Sequence, residues 1–291
     1  VGVLEGVGLF SPTRTTGNVI PVSRDVQTEI RPFELAVIGG GNMGAALIGG
    51  LLVSGAVDPG RVVVVEVVES RRAELAELFP GVAVMADVPP AGGALLAVKP
   101  ADIPAAAAAA VAAGATRLLS IAAGVRLATI EAAAGSGVAV IRAMPNTPAL
   151  VRLGASAIAP GRAATDIDVA WAESILTAVG TVERVEESDL DLFTGLAGSG
   201  PAYVFFVAEA LVEAAVAEGM SHDVADRVVR QLLLGSATLL LQEGDPAELR
   251  RRVTSPGGTT AAGIAVLDEL EVSGAFGAAV RAATARSREL G

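Results

Sequence analysis

The sequence predicts an α/β protein in which a mostly parallel sheet with intervening helices gives way to an all-helical segment. Three observations carry this. Short apolar runs alternate with helix-like stretches up to residue 185, and strand signals nearly vanish beyond it. Hydrophobic residues make up 52% of the chain but aromatics only 3%, so cohesion rests on Ala, Val and Leu, which suits buried parallel strands and closely packed helices. The first element is the apolar run Leu35-Ala36-Val37-Ile38, which ends in glycines and leads into a helix over 45–52. Further strands are predicted over 61–66, 94–98, 117–121 and 138–143, with helices between them over 69–79, 102–113 and 128–134. The alanine tract from Ala105 to Ala113 belongs to one of these helices, because alanine is the best helix former and lets a helix lie close to a sheet. Strands over 155–159 and 181–185 flank a helix over 165–179, and the alternation implies parallel pairing through right-handed crossovers. Helices over 189–196, 202–217, 222–241, 247–252, 260–270 and 274–290 follow with mostly short loops, as in a helical bundle.

At 291 residues the chain has the length of about two domains. Residues 1–33 read as a poorly ordered leader, 34–186 as the sheet domain and 187–291 as the helical domain. Lys plus Arg number 21 against 32 Asp plus Glu, and the formal net charge of −11 disfavours nucleic acid and anionic membrane surfaces. Cysteine is absent and His222 is the single histidine, which excludes cysteine nucleophiles, disulfides and thiolate zinc sites and leaves only carboxylates as metal ligands. The longest uninterrupted apolar stretch, 103–115, falls short of the roughly 18 to 20 residues a membrane span needs, so none is predicted. The leader lacks the basic start, apolar block and cleavage site of a secretion signal, and a cytoplasmic location is expected.

Gly39-Gly40-Gly41-Asn42-Met43-Gly44 matches G-x-G-x-x-G directly after a strand and at the opening of a helix. There, backbone N–H groups and the helix dipole face a pyrophosphate, the arrangement of a Rossmann-like dinucleotide site. A ligand-free tight turn has the same composition. Glu66 lies about twenty positions after Gly44, where an acid holds the ribose hydroxyls of NAD, whereas Arg71 and Arg72 could receive the 2′-phosphate of NADP or be ordinary solvated helix charge. Ala97-Val98-Lys99-Pro100 ends another strand, on the side where open parallel sheets place ligands, although Lys99 is equally a lysine snorkelling at a strand end. Two prolines rigidify Arg142-Ala143-Met144-Pro145-Asn146-Thr147-Pro148 around Asn146.

In the helical half, Gly195-Leu196-Ala197-Gly198-Ser199-Gly200-Pro201-Ala202-Tyr203 is expected to interrupt the helices. Its spacing is not that of a nucleophilic serine. Val253-Thr254-Ser255-Pro256-Gly257-Gly258-Thr259-Thr260 offers hydroxyls and N–H groups at a helix N-terminus, suited to a carboxylate or to simple capping by Thr259. His222 reads as a neighbour of a helix start, Asp189 and Asp191 as acids at a helix start, and Arg250-Arg251-Arg252 as a basic helix end.

Val37 to Met43, Ala97 to Pro100, Arg142 to Pro148, Gly195 to Tyr203 and Val253 to Thr260 occur in the order of, and closely resemble, the pyrroline-5-carboxylate reductase family. The resemblance spans residues 34–290. It implies reduction of 1-pyrroline-5-carboxylate to L-proline with NADH or NADPH, the last step of proline biosynthesis, with no metal. It further implies a Rossmann-like domain followed by an all-α dimerisation domain, a homodimer or larger ring of dimers, and an active site to which both subunits contribute. On the same basis Ser255, Gly257, Gly258 and Thr259 hold the substrate carboxylate and Thr260 meets the ring nitrogen as the catalytic residue. The cofactor falls to Gly39, Gly41, Asn42, Met43, Gly44, Glu66, Arg71, Ala97, Val98, Lys99, Pro100 and Asn146. Two positions depart from the family pattern: Ala197 stands where a serine is usual, and Val67 where many relatives carry a polar or basic residue. A related dehydrogenase acting on a small hydroxy acid would need a lysine in the helical domain, and Lys99 is the only lysine of the chain. A dinucleotide-sensing protein without turnover would not need the Ser255 to Thr260 loop.

Overall fold

The computed structural model describes residues Phe33–Gly291; the expected leader lies outside them except for Phe33, which instead opens the first strand. The chain runs β1 (Phe33–Ile38), α1 (Asn42–Ser54), β2 (Val62–Val65), α2 (Glu69–Leu78), β3 (Ala83–Met85), β4 (Ala91–Leu96), α3 (Ile103–Ala112), β5 (Arg117–Ser120), α4 (Leu127–Ala134), β6 (Ala139–Met144), β7 (Gly154–Pro160), α5 (Asp166–Leu176) and β8 (Gly180–Arg184). One eight-stranded sheet results, in the order β3-β2-β1-β4-β5-β6-β7-β8. All neighbours are parallel except β6 and β7, which pair antiparallel.

Alternation along the strands divides the core into two layers. Ala36, Ile38, Val63, Val65, Leu96 and Leu118 face one side and pack with Ile103, Ala106, Ala107 and Ala110 of α3 and Ile130 of α4. Leu35, Val37, Val62, Val64, Leu95 and Leu119 face the other, against Leu47, Ile48 and Leu51 of α1, Leu75 of α2 and Ile175 and Leu176 of α5. Helices on both faces explain why these strands read as continuous apolar runs. The chain leaves β1 towards β2 and β3, then returns to lay β4 on the opposite side of β1. That reversal opens a crevice at the carboxyl ends of β1 and β4, the place where such sheets bind ligands.

The second half comprises α6 (Leu190–Phe193), α7 (Gly200–Ala217), α8 (His222–Glu243), α9 (Pro246–Arg252), α10 (Thr259–Glu269) and α11 (Val272–Leu290). The sequence expectation of a break at Gly195 to Tyr203 is corrected here. Thr194–Gly198 forms a π-helical turn, in which the Ser199 N–H reaches back 2.8 Å to the Thr194 carbonyl, and helix continues on either side. Packing overrides the glycine penalty: a Cβ on Gly195 would lie 2.3 Å from Thr284 Oγ1 and 2.9 Å from the Val280 carbonyl oxygen on α11. Glu187–Ala217 is consequently one helical run, long and apolar enough by length and composition alone to cross a membrane. The sequence reading missed it because Gly, Ser and acidic residues divide its apolar stretches.

Ion pairs and hydrogen bonds tie this half to the sheet. Arg142, buried on β6, pairs with Glu187 at 3.0 Å, and the same carboxylate oxygen accepts the Leu127 N–H at 2.7 Å. Asp191 is also buried; it pairs with Arg126 at 3.2 Å and accepts from Ser287 Oγ at 2.8 Å, which gives it the structural part expected of an acid at a helix start.

Candidate active site

Each glycine after β1 does a different job. Gly39 sits at φ 106°, a conformation that favours glycine, and its N–H donates to the Val65 carbonyl at 2.8 Å. A Cβ there would lie 2.5 Å from the Ala97 carbonyl oxygen, so the turn rests directly on the end of β4. Gly44 permits the helix to close on the turn, since its Cβ would fall 2.3 Å from the Gly39 carbonyl oxygen. Gly41 is different: it has φ −67°, available to any residue, and a Cβ added to it meets nothing within 4 Å. Gly41 therefore borders open space that a ligand can approach. It caps α1 without a side-chain hydrogen bond, and the first turn of α1 contains no acid. The leading N–H groups of Asn42 and Met43 are thus free of an internal carboxylate, as a pyrophosphate requires.

Glu66, just past β2, closes the other side of the turn. Its Oε2 accepts the Gly40 N–H at 3.0 Å and its Oε1 accepts the Val68 N–H at 2.9 Å. Arg71 donates from Nε to the Gly40 carbonyl at 2.8 Å and pairs through Nη1 with Glu74 at 2.7 Å. Arg72 donates from Nη1 to the carbonyls of Glu66 and Val67, at 3.0 and 2.8 Å. On the third side, the Ala97 N–H donates to the Ile38 carbonyl at 2.8 Å and Val98 follows beside Gly39. Lys99 and Pro100 are exposed where a short 3-10 turn, Pro100–Asp102, begins. The structure thus gathers Gly39, Gly41, Asn42, Met43, Gly44, Glu66, Arg71, Ala97 and Val98 around one crevice mouth, with Lys99 and Pro100 at its edge.

Asn146, also expected at the cofactor, is bonded within the protein. Its Nδ2 donates to the Ala197 carbonyl at 3.1 Å and its Oδ1 accepts the Ala155 N–H at 2.9 Å. It joins the end of β6 to β7 and to the π turn, and both ends of its amide have protein partners. The Tyr203 hydroxyl donates to the Gly195 carbonyl at 3.1 Å in the same turn. These two side chains satisfy carbonyls in the π turn, a role that sequence reasoning did not find; the only signal was the Gly/Pro-rich composition of the segment.

The second predicted group stands apart. Ser255, Gly257, Thr259 and Thr260 are exposed, and the loop's backbone hydrogen bond from the Gly258 N–H to the Ser255 carbonyl, 3.0 Å, is local. The expected capping by Thr259 is corrected: Gly258 is the N-cap of α10, with extended backbone at φ −80° and ψ 172°, and Thr259 is the first helical residue. No side chain caps α10 and no acid lies in its first turn. A Cβ on Gly258 would lie 2.6 Å from Ser255 Oγ and 3.1 Å from the Ser255 carbonyl oxygen, so glycine lets the loop fold closely onto the helix end. What results is a cluster of hydroxyls and N–H groups facing solvent, chemically fit for a carboxylate. Among the described residues, no group of three or more His, Cys, Asp or Glu side chains could hold a metal ion. His222 opens α8 and lines a groove between α7 and α8.

Comparison with known proteins covers both halves of the chain. Residues 187–290 match the family model described as pyrroline-5-carboxylate reductase dimerisation, and residues 34–124 match that described as NADP oxidoreductase coenzyme F420-dependent. The pyrroline-5-carboxylate reductase of Synechocystis is 41% identical over 266 residues, covering 89% of this chain and 98% of its own length. That of Methanosarcina acetivorans is 41% identical over 270 residues, with the same coverage. Among solved structures, a pyrroline-5-carboxylate reductase from Coxiella burnetii superposes with a TM-score of 0.83 at 35% identity, over 89% of this chain and 98% of that one. A pyrroline carboxylate reductase from Plasmodium falciparum, solved with NADP bound, gives 0.78 at 25% identity, over 90% and 99%.

Proposed function

The chain belongs to the pyrroline-5-carboxylate reductase family, and on that premise we propose how its residues reduce 1-pyrroline-5-carboxylate to L-proline with NAD(P)H. Residues 34–186 form the dinucleotide-binding domain and 187–291 the substrate-binding and dimerisation domain. The observation that supports the cofactor reading best is the open space over Gly41, beside uncapped N–H groups that have no internal anion. Gly39, Gly41, Asn42, Met43 and Gly44 present the turn to the pyrophosphate, Glu66 faces the adenosine ribose, and Ala97 to Pro100 border the nicotinamide side. Arg71 and Asn146 act through the backbone they hold, at Gly40 and Ala197.

Bound NAD(P)H supplies the hydride. A protonated imine is already electrophilic, so the chain's task is alignment and it needs no strong base. Ser255, Gly257, Gly258 and Thr259 anchor the substrate carboxylate through N–H and hydroxyl donors at the start of α10. Thr260 then meets the ring nitrogen. A threonine hydroxyl is a poor acid, so it orients the nitrogen or passes a proton through water and does not donate its own.

A second copy of the chain completes the site. Neither α7 nor α10 has a single buried residue, and Val204, Phe205 and Phe206 are 50, 67 and 68% exposed. An apolar face of this kind on the segment that matches a dimerisation family is the core of a subunit interface, covered by protein and not by lipid. Dimers assembling into rings and a cytoplasmic location complete the reading, and the net charge of −11 keeps nucleic acid out of it. The test is to follow nucleotide absorbance with 1-pyrroline-5-carboxylate, supplying NADH and NADPH separately, while measuring proline. Oxidation with equal formation of proline is expected; oxidation without proline, or none with either nucleotide, refutes the proposal.

A further inference from the structure

We infer that this site selects NADH over NADPH and that the selecting group is the Glu66 carboxylate, held in place by the backbone of the glycine turn. The inference rests on the reductase reading and adds which nucleotide the site is built for.

Glu66 does not hang freely at the end of β2. One of its oxygens is fixed by the Gly40 N–H at 3.0 Å and the other by the Val68 N–H at 2.9 Å. A carboxylate has about four acceptor positions, so two backbone donors leave acceptor capacity on each oxygen. Ribose hydroxyls can donate to it. A 2′-phosphate has no proton to offer in its dianionic form and meets a negative charge instead. Because both oxygens are tethered, the carboxylate cannot swing aside to admit the phosphate without breaking the bonds that shape the turn.

The nearby cations do not reverse this. Arg71 is held against the turn by the Gly40 carbonyl, which takes its Nε donor, and by Glu74, which pairs with Nη1 and offsets its charge. Arg72 is turned towards the carbonyls of Glu66 and Val67, each bonded through Nη1. The N-terminus of α2, otherwise an attractive place for a phosphate, already carries Glu69 in its first turn. Val67 and Val68, which border the same edge, are 82 and 52% exposed and offer no donor side chain. Three carboxylates, Glu66, Glu69 and Glu74, thus lie along the same edge as the two arginines, so its charge does not favour a phosphate.

Equilibrium binding of NADH and NADPH to the intact assembly, without substrate, reads the inference directly. The expected ratio of dissociation constants, NADPH over NADH, is about tenfold or more, the scale of a like charge placed against a phosphate. Glu66→Gln keeps the shape and removes the charge, and should narrow the ratio at least about fivefold; loss of one tether weakens both nucleotides alike and leaves the ratio as the readout. Should that variant not fold, a salt series on the unaltered chain serves, because screening must narrow the ratio as ionic strength rises. Equal or tighter binding of NADPH, or a ratio indifferent to both Glu66→Gln and salt, overturns the inference while leaving the reductase reading intact. Binding of neither nucleotide overturns both.

Discussion

The glycine turn after β1 and the loop from Ser255 to Thr260 are built from the same parts. Each leads into a helix with no side-chain cap and no acid in its first turn, and each uses glycine where a Cβ would collide. Their surroundings differ. The turn is wedged among the ends of β1, β2 and β4, whose side chains fill both core layers, whereas the loop lies exposed at the start of a helix with no buried residue. On the proposed assignment, one chain finishes the cofactor half of the site and leaves the substrate half for association to complete. Damage to the interface should abolish chemistry and spare nucleotide binding, and damage to the turn should do the reverse.

The largest effect is expected from Phe205→Asp on α7. The groove between α7 and α8 has a volume of about 950 Å³ and is lined by Phe205, Val212, Val216, Val229 and Leu233. Removing one buried phenylalanine from an interface forfeits about 1.5 to 3 kcal/mol, and it does so in both copies of a symmetric dimer, before the charge is counted. Turnover at nanomolar concentration should fall by about a thousandfold or more, with a monomeric mass in sedimentation and NADH affinity within about threefold of the unaltered chain. A monomer with full activity would break the comparison.

Within an intact assembly, Thr260→Val should lower kcat by about ten- to a thousandfold, equivalent to roughly 1.4 to 4 kcal/mol, with cofactor affinity nearly unchanged. Ser255→Ala should instead raise KM and leave kcat close to its starting value, because a carboxylate anchor binds ground and transition states alike. Steady-state kinetics of the two variants, measured together, separate anchoring from chemistry. Unaltered kinetics in Thr260→Val would leave the loop as an anchor only.

The difference between the two regions also governs what the sequence could reveal. Strands buried on both faces are legible as apolar runs, which is why Phe33–Ile38, Val62–Val65 and Arg117–Ser120 stand where periodicity puts them. Ala83–Met85 escaped because it is a three-residue edge strand with no fully buried side chain. The π turn at Thr194–Gly198 was misread as a break because glycine propensity is local, while the packing of Thr284 and Val280 that enforces the helix comes from the far end of the chain. The position of Glu66 at the end of β2 was legible from its spacing, but its grip on Gly40, 26 residues away, was not. The same holds for Asn146, whose partner Ala197 lies 51 residues on. Pairings of this kind depend on where the fold brings the backbone, and spacing alone does not encode them.

On the cofactor side, Gly41→Val should weaken both NADH and NADPH by about ten- to a hundredfold while the melting temperature stays nearly constant. The backbone there is at φ −67° and an added Cβ meets no protein atom within 4 Å, so the fold should tolerate valine and only the ligand lose its place. A folded variant with unchanged nucleotide affinity, measured by titration calorimetry, would mean that the pyrophosphate does not cross this turn.

The smallest effect belongs to Arg71→Ala. Had this arginine gripped a 2′-phosphate, its loss would fall on NADPH and spare NADH. Its Nε instead holds the Gly40 carbonyl, on the opposite side of the residue whose N–H Glu66 holds. The turn is thus braced from both sides and remains anchored through Gly39 to Val65 and through Ala97 to Ile38 when one brace is lost. Its ion pair with Glu74 is largely solvated and contributes little. The expected result is an equal loss of about two- to fivefold for both nucleotides, the scale of one hydrogen bond in a site otherwise intact. A selective loss of NADPH would give Arg71 a phosphate contact that the free turn does not display, and would show that the cofactor half, too, rearranges when its ligand arrives.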